Sequence, residues 1–180
     1  MRKSLKDTVY EIVGDLPEGR ITMRRFLFAF LYKASFRVLL NYRIGKFCFH
    51  SRFYFLRLLA IRYKYKLLTK RGCDVSYKAI LGKNLNLPHP IGIVIGDGVE
   101  VKDNVTIFQQ VTLGSHGKKG EDLAYPVIES NVKIFAGAKI IGGITVGEGS
   151  VVGANTLVNK NVPPNSIAYG IPCKIKTIDS

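Results

Sequence analysis

The sequence predicts a mainly β protein: a β-helix built from hexapeptide repeats, preceded by a helical N-terminal segment. An aliphatic residue recurs at every sixth position from Ile128 to Val158, and a small or branched residue stands four places after each. A helix would show a spacing near 3.6 and a half-buried strand a spacing near 2, whereas a period of six is typical of a β-helix. Each six-residue rung forms one side of a prism. Because a single rung cannot bury its aliphatic residue, stability comes from stacking.

Charge divides the chain into two predicted domains, residues 1–70 and 71–180. The first holds 16 Lys or Arg against 4 Asp or Glu, and the second holds 11 against 9, so their net charges are +12 and +2. The net charge of +14 therefore belongs mainly to the N-terminal segment. No window of about eighteen apolar residues is present, so the sequence predicts no conventional transmembrane helix.

The cysteines and the N-terminus bear on the compartment. Cys48, Cys73 and Cys173 are scattered without metal-ligand spacing, and we expect no bound metal. An odd number of scattered thiols predicts structural cysteines in a reducing environment. The first residues lack the apolar core of a signal peptide. Together these features predict a cytoplasmic protein.

The N-terminal segment is predicted to be helical. A short amphipathic helix is expected within residues 1–15, a break follows at 16–19, and two longer helices are expected at about 24–48 and 51–69. From Arg20 to Lys70 there are 13 Lys or Arg and no acidic residue, together with most of the Phe and Tyr of the chain.

Two interpretations of this basic, aromatic segment stand side by side. Either the helices cover the open end of the β-helix or pack between subunits, or residues 20–70 make a peripheral contact with an anionic membrane. Each basic residue near such a surface would contribute on the order of 1 kcal/mol, and the protein would then lie on the inner face of the cytoplasmic membrane. Nucleic-acid binding is disfavoured, since no recognised nucleic-acid motif accompanies the charge.

The repeats extend upstream of the strong run. The anchors slip by two positions once, and nine residues are inserted between Leu113 and Ile128, which predicts a loop at 114–126. At three rungs per turn, thirteen anchors predict about four turns, and Pro163-Pro164 begins a C-terminal tail at 163–180. The upstream anchors are Val75, Leu81, Leu87, Ile95, Val101, Ile107 and Leu113, with Ala79, Leu85 and Ile91 expected to point inward four places after the first three.

Residues 72–176 carry an ordered series of motifs around these repeats. They are GIVIG at 92–96, VTLG at 111–114, PVI at 126–128, AGAKI at 136–140 and VPPNS at 162–166. On these residues the chain resembles the hexapeptide acyltransferases, and within them the serine acetyltransferase group. The resemblance implies a left-handed parallel β-helix, a homotrimer with active sites in clefts between subunits, and acetyl-CoA as the acetyl donor.

The resemblance also implies a catalytic pair. His89 stands where the family has a histidine before the GIVIG run, and Asp74 stands where an aspartate one coil earlier supports it. They are 15 residues apart and a coil is nominally 18, so we expect them on the same side of adjacent coils. A neutral imidazole suits proton abstraction from an alcohol, and a carboxylate would fix its tautomer. General-base help of this kind is typically worth ~10²–10⁴-fold in rate.

The rest of the machinery is expected to be largely backbone. By resemblance the Gly114 N–H would hold the oxyanion formed on the thioester, although the glycine alone could simply be the hinge of the loop. The pantetheine arm of acetyl-CoA would lie near Ala136 and Ala154. Lys160 and Lys174 are candidates for the CoA phosphates, although each alone reads equally as a surface charge.

The sequence departs from the serine acetyltransferase pattern where the amino acid would bind. The family has Asp before the catalytic His and an Arg-His pair before the Pro that ends the loop, and here those places hold Pro88, Ala124 and Tyr125. A zwitterion without charged partners is costly to desolvate. This departure predicts a sugar hydroxyl as acceptor, with Tyr125 stacking on the ring and His116 and Asp122 bonding its hydroxyls.

The sequence thus predicts an acetyl-CoA-dependent O-acetyltransferase acting on a sugar of a surface polysaccharide or its precursor. Three alternatives remain. The first is serine O-acetyltransferase of cysteine biosynthesis. The second is a non-catalytic trimeric scaffold or membrane-surface adaptor. The third is an acyl-CoA transferase that uses a longer chain or an amine acceptor.

Overall fold

A computed structural model describes residues 4–16, 19–117 and 124–178. Four helices precede a three-sided prism of short strands. Among the described residues, no helix combines the length and the apolar character that crossing a bilayer requires. The helices are α1 (Leu5–Gly14), α2 (Met23–Tyr32), α3 (Ala34–Phe49) and α4 (Tyr54–Arg71).

Local sequence signals explain the start of α1 and the end of α4, but the break between α2 and α3 was not predicted. Ser4 and Asp7 form a capping box that starts α1, and Gly72 in the left-handed conformation ends α4. The single helix expected at about 24–48 is wrong. Lys33 is extended (φ −103°, ψ 105°) and separates α2 from α3 without a glycine or proline to mark the break.

The prism has three walls, and the chain visits them in turn. Within each wall neighbouring strands are parallel, except that β14 returns antiparallel to β13. Wall 1 contains β1 (Asp74–Val75), β3 (Val94–Ile95), β6 (Thr112–Gly114), β9 (Lys139–Ile141) and β12 (Leu157–Val158). Wall 2 contains β2 (Ile80–Leu81), β4 (Glu100–Val101), β7 (Val127–Ile128) and β10 (Thr145–Val146). Wall 3 contains β5 (Thr106–Ile107), β8 (Lys133–Ile134), β11 (Val151–Val152), β13 (Ser166–Tyr169) and β14 (Lys174–Thr177).

The thirteen predicted anchors all point into the axis of the prism, where none is more than 4% exposed. Full burial of such a side chain stabilises the fold by roughly 1.5–3 kcal/mol. The second inward set is buried except at Ile144, which is half-buried, and at Ile91, which is 66% exposed while Ile93 is buried in its place.

The exchange of Ile91 for Ile93 has a simple cause. Asn86 pairs with Thr106 and Val94 pairs with Thr112, so the chain uses eight residues to pass from wall 3 to wall 1 where the next coil uses six. The corner at 87–93 therefore contains two extra residues. This protruding corner is the physical form of the two-residue slip in the repeat, and it carries His89.

The helices cover the N-terminal end of the prism and share its core. Val38, Leu39 and Tyr42 of α3 belong to the same buried cluster as the first coils, and the Tyr42 hydroxyl donates to the Ala79 carbonyl at 2.7 Å. The interpretation that the helices cover the open end is therefore confirmed. The division into domains at 70/71 stays a prediction.

One buried arginine ties the helices to the first coil. Arg43 is 1% exposed, and its Nε lies 3.0 Å from the Asp15 carboxylate beyond α1. The same guanidinium donates to the backbone carbonyls of Leu81, at 2.7 Å, and of Gly82. Burial raises the pKa of the Asp15 carboxyl, and Arg43 offsets this only in part. The Arg43–Asp15 pair therefore fixes the helices relative to the first coil more than it adds to the stability of the fold.

Candidate active site

The predicted site residues lie on two edges of the prism. The His89 edge is formed by the corners that join wall 3 to wall 1, at 87–93, 108–111, 135–138 and 153–156. The loop edge is formed by the corners that join wall 1 to wall 2, of which the structure describes 76–79, 96–99, 115–117, 124–126, 142–144 and 159–161. Wall 1 separates the two edges.

His89 is exposed on the protruding corner of its edge. Its carbonyl accepts from the Ile91 N–H at 2.8 Å, and the buried Pro90 behind it accepts from the Cys73 thiol at 3.1 Å. The imidazole lies 6.4 Å from the Phe108 ring, which stacks on Phe135 at 5.0 Å. The corner is thus held from behind while the imidazole stays open to a substrate.

Asp74 does not meet His89 within one chain. It points outward from wall 1, and its carboxylate lies 2.5 Å from the Lys64 Nζ of α4. The register pairs Asp74 with Val94, five residues beyond His89. Among the described residues no hydrogen bond joins the two side chains, and the expectation that they act as a pair on one side of adjacent coils is not tested by this geometry. The role of Asp74 stays a prediction.

The predicted acetyl-CoA residues divide between the same surfaces. Ala136 and Ala154 lie on the His89 edge, in equivalent positions of adjacent coils, because β8 and β11 pair at a spacing of 18. Lys160 is on the loop edge and Lys174 begins β14 on wall 3, both exposed. These roles stay predictions.

Gly114 ends β6 at the loop edge, in register with Ile141. Its carbonyl accepts from the Gly142 N–H at 2.9 Å. Among the described residues, a methyl group at Gly114 would meet only Ile141 Cδ1, at 4.0 Å, so this part of the chain leaves space there for a ligand. The oxyanion role stays a prediction.

Two of the three residues assigned to a sugar acceptor lie within the described part of the chain. His116 is exposed on the loop edge, and Asp122 lies outside the described residues. Tyr125 packs over the corner below it: a methyl group at Gly96 would come within 3.0 Å of the Tyr125 ring. That half-buried ring braces the corner rather than standing free as a stacking platform.

Charged groups that sequence reasoning did not single out surround the edges. On the loop edge, Asp97 accepts from Lys78 Nζ at 2.8 Å and from the Ser76 hydroxyl at 2.6 Å, and these bonds hold the pKa of Asp97 below its usual range. Near the His89 edge, the Nε atoms of Arg37 and Arg71 are buried without a hydrogen-bond partner. The sequence counted both arginines only as part of a basic segment, because nothing in their spacing shows that α3 and α4 bring them together.

No cluster of His, Cys, Asp and Glu suited to a metal ion occurs within 4–16, 19–117 and 124–178. The three cysteines are free and buried. Burial raises the pKa of the Cys48 and Cys73 thiols, which fits structural rather than nucleophilic cysteines. A metal-free site stays a prediction.

Comparison of the sequence with known proteins identifies the family. The model described as "Bacterial transferase hexapeptide (six repeats)" matches residues 125–160. The chain is 33% identical over 174 residues to the serine acetyltransferase of Bacillus pumilus, covering 96% of this chain and 76% of that protein. The chain belongs to the serine acetyltransferase family. It is also 37% identical over 153 residues to the serine acetyltransferase of Buchnera aphidicola from Schizaphis graminum, covering 85% of this chain and 58% of that protein. It thus spans a little over half the length of this relative.

Solved structures of the serine acetyltransferase family agree. Soybean serine acetyltransferase superposes with a TM-score of 0.81 at 30% identity, over 95% of this chain and 69% of that one. A serine acetyltransferase solved in complex with CoA superposes with a TM-score of 0.71 at 30% identity, over 81% and 57%. The predicted fold class, a left-handed parallel β-helix with N-terminal helices, is confirmed.

The same findings correct the predicted acceptor. The sugar of a surface polysaccharide is wrong, because the relatives and the solved structures are serine acetyltransferases. The prediction assumed that charged partners for an amino acid must stand at 88, 124 and 125. The structure shows charged side chains beside both edges at other positions, so the missing family residues do not exclude a zwitterion.

Proposed function

We propose that this chain is a serine O-acetyltransferase that moves the acetyl group of acetyl-CoA to the hydroxyl of serine. The observation that carries the proposal is an exposed histidine on a protruding corner of a β-helix that belongs to the serine acetyltransferase family. Acetyl-CoA as donor is supported by the relative that was solved with CoA.

The proposed reaction needs one base and one oxyanion donor. The His89 imidazole takes the proton of the serine hydroxyl while that oxygen attacks the thioester carbonyl. The tetrahedral oxyanion would be held by the Gly114 N–H. When the intermediate collapses, the C–S bond breaks, and the departing sulfur takes the proton from the imidazolium. The products are O-acetylserine and CoA, and His89 returns to its neutral form.

A single chain cannot bring these groups together. From Phe108, which contacts His89, to Gly114 the chain crosses wall 1 in six residues. At a rise of about 3.3 Å per residue the two edges are roughly 15–20 Å apart. A base and an oxyanion donor must each lie about 3 Å from the reacting atoms. We therefore infer that the His89 edge of one subunit faces the loop edge of a neighbour.

A closed ring of such contacts is the homotrimer that the family resemblance implies. In it, Asp74 would orient the His89 imidazole. The pantetheine arm would lie along Ala136 and Ala154, with Lys160 or Lys174 toward the phosphates. The observation that supports this arrangement is the division of the predicted site between two edges.

The proposal is tested by CoA release from acetyl-CoA with L-serine as acceptor. We expect serine-dependent turnover that falls at least ~10²-fold in His89→Ala. His50→Ala is the matched control, since His50 lies at the end of α3 with its Nδ1 3.0 Å from the Lys46 carbonyl and has no role in the proposed chemistry. Serine-dependent turnover that persists in His89→Ala would remove the base assignment, and its absence in the wild type would remove the acceptor.

A peripheral membrane contact through residues 20–70 stays a prediction, as does the cytoplasmic location. Its support is an exposed apolar stripe on α4 at the alternating spacing of four and three that suits one contact face. The stripe could equally pack against a subunit. Sedimentation with vesicles of anionic or of zwitterionic lipid distinguishes a membrane contact from a subunit contact, because only a membrane contact of this basic segment would depend on lipid charge. The stripe consists of Tyr54, Leu58, Ile61, Tyr65 and Leu68.

A further inference from the structure

Two arginines near the His89 edge have no counter-charge among the residues that the structure describes. Arg37 on α3 and Arg71 at the end of α4 are both half-buried, and the Nε of each is shielded from solvent without a partner. No ion pair or side-chain hydrogen bond reaches either guanidinium among the described residues. They are also close enough for Arg37 to lower the pKa of Arg71, although burial contributes more to that shift. Two half-buried like charges are unfavourable unless an anion binds between or beside them.

The backbone places this pair at the His89 corner. On one side, the Leu87 N–H donates to the Ser35 hydroxyl of α3 at 3.3 Å, two residues before Arg37. On the other, the Gly92 N–H donates to the Gly72 carbonyl at 2.7 Å, directly after Arg71. The segments that carry the two arginines thus bracket the corner from Leu87 to Gly92.

We propose that Arg37 and Arg71 bind the carboxylate of the acceptor amino acid. The inference rests on the proposed serine acetyltransferase function and names the residues that give it an amino-acid substrate. A guanidinium presents parallel N–H donors that match a carboxylate, and the contact is stronger where water is partly excluded.

Serine chemistry explains why the pair must stand where it does. The carboxylate and the hydroxyl of serine are separated by only two carbon atoms. A carboxylate site is useful only if it lies beside the base, and the arginine pair flanks the corner that carries His89. The positions that hold a cationic pair in the family pattern are Ala124 and Tyr125 here, so this chain needs another source of positive charge.

The test compares L-serine with L-serinamide, which keeps the hydroxyl and the ammonium but lacks the carboxylate. The variants are Arg37→Met and Arg71→Met, and Arg57→Met is the control because Arg57 is an exposed arginine near the other end of α4. For each variant, kcat and KM are measured for both acceptors and for acetyl-CoA. Melting temperature and oligomer mass are recorded alongside.

We expect Arg71→Met to raise the KM for serine at least about tenfold, with a smaller effect on kcat, because a charge-assisted pair of hydrogen bonds is lost. The kcat/KM for serinamide should stay within about twofold, so discrimination between the two acceptors collapses. Arg37→Met should act in the same direction and Arg57→Met should change nothing. Since each substitution removes one of two like charges, the melting temperature should not fall.

Three outcomes would overturn the inference while serine acetylation by the wild type stands. The first is an equal loss for serine and serinamide. The second is a raised KM for acetyl-CoA alone, which would assign the anion site to the CoA phosphates. The third is dissociation of the oligomer, which would assign the arginines to a subunit contact. Absence of serine-dependent turnover in the wild type would instead refute the proposed function.

Discussion

Mixing two inactive variants tests whether the active site is shared between subunits. His89→Ala removes the proposed base from one edge. Gly114→Val blocks the other edge, because β6 accepts a branched side chain and the nearest atom to a methyl group at this position, Ile141 Cδ1, is 4.0 Å away. The chain should therefore fold, while the added methyl groups occupy the space proposed for the thioester. Each variant alone should be inactive.

The expected recovery follows from the two-edge geometry. A site in a mixed ring uses His89 of one protomer and Gly114 of the next. In an equal mixture a given His89 edge is intact half of the time, and so is the neighbouring loop edge. About one quarter of the sites should therefore be intact, and about one quarter of the wild-type rate per protomer should return. A site built within one chain would return nothing, since every chain carries one lesion.

The assay is serine-dependent CoA release by co-expressed variants carrying two different affinity tags, purified through both tags so that every oligomer is mixed. The purification leaves the two kinds of mixed trimer, one with two copies of the first variant and one with two of the second, and each contains one intact site in three. The background activity is measured on oligomers in which every chain carries His89→Ala and the two tags are both present. A double-tagged sample no more active than this background would refute the shared site, as would full activity of Gly114→Val alone.

Three further predictions concern stability. Arg43→Met should lower the free energy of unfolding in urea by about 3–5 kcal/mol, because it leaves buried carboxylate and carbonyl groups unpaired; a loss below about 1 kcal/mol would contradict the burial of this network. Ile140→Ala should cost about 2–5 kcal/mol by opening a cavity in the axis, whereas the neighbouring exposed Lys139→Ala should stay within about 0.5 kcal/mol, and similar losses would mean the inward register is wrong. The bond from Lys78 lowers the folded-state pKa of Asp97, so its contribution is present above the unfolded value of 3.8 and is lost as pH falls through the folded pKa. Asp97→Asn should flatten the fall in melting temperature below about pH 4, and an unchanged profile would exclude this contribution.

The fold was predictable because one local rule repeats. A period of six requires only that every rung bury one aliphatic residue, and all thirteen anchors obey it. The prediction failed at Ile91, because the two extra residues in this corner leave Ile91 exposed and Ile93 buried in the axis. It failed again at Lys33, where apolar residues continue on both sides and no glycine or proline marks the break between α2 and α3.

The site was harder to predict because its residues are related by register and by symmetry. A nominal coil of 18 residues predicted Asp74 and His89 on the same side of adjacent coils, but the first coil spans 20, since Asp74 pairs with Val94, so the spacing alone does not fix how the two residues are placed. The family motifs identified each candidate residue without showing which edge it occupies. Only the strand pairing separates the His89 edge from the loop edge, and that separation is the basis of the proposed site between subunits.

The basic N-terminal segment also takes on a different meaning in three dimensions. Its net charge of +12 suggested a surface that meets an anionic partner as a whole. In the structure these cations fall into different environments. Arg43 is bound by buried carboxylate and carbonyl groups, and Lys64 forms an ion pair with Asp74 on wall 1. Within the described part of the chain, the Nε atoms of Arg37 and Arg71 are buried without a hydrogen-bond partner beside the exposed His89. A charge that a protein keeps half-buried and unpaired is costly, and that cost is offset when an anion binds. The helices that cover the end of the prism are thus placed to complete its active site as well as its core.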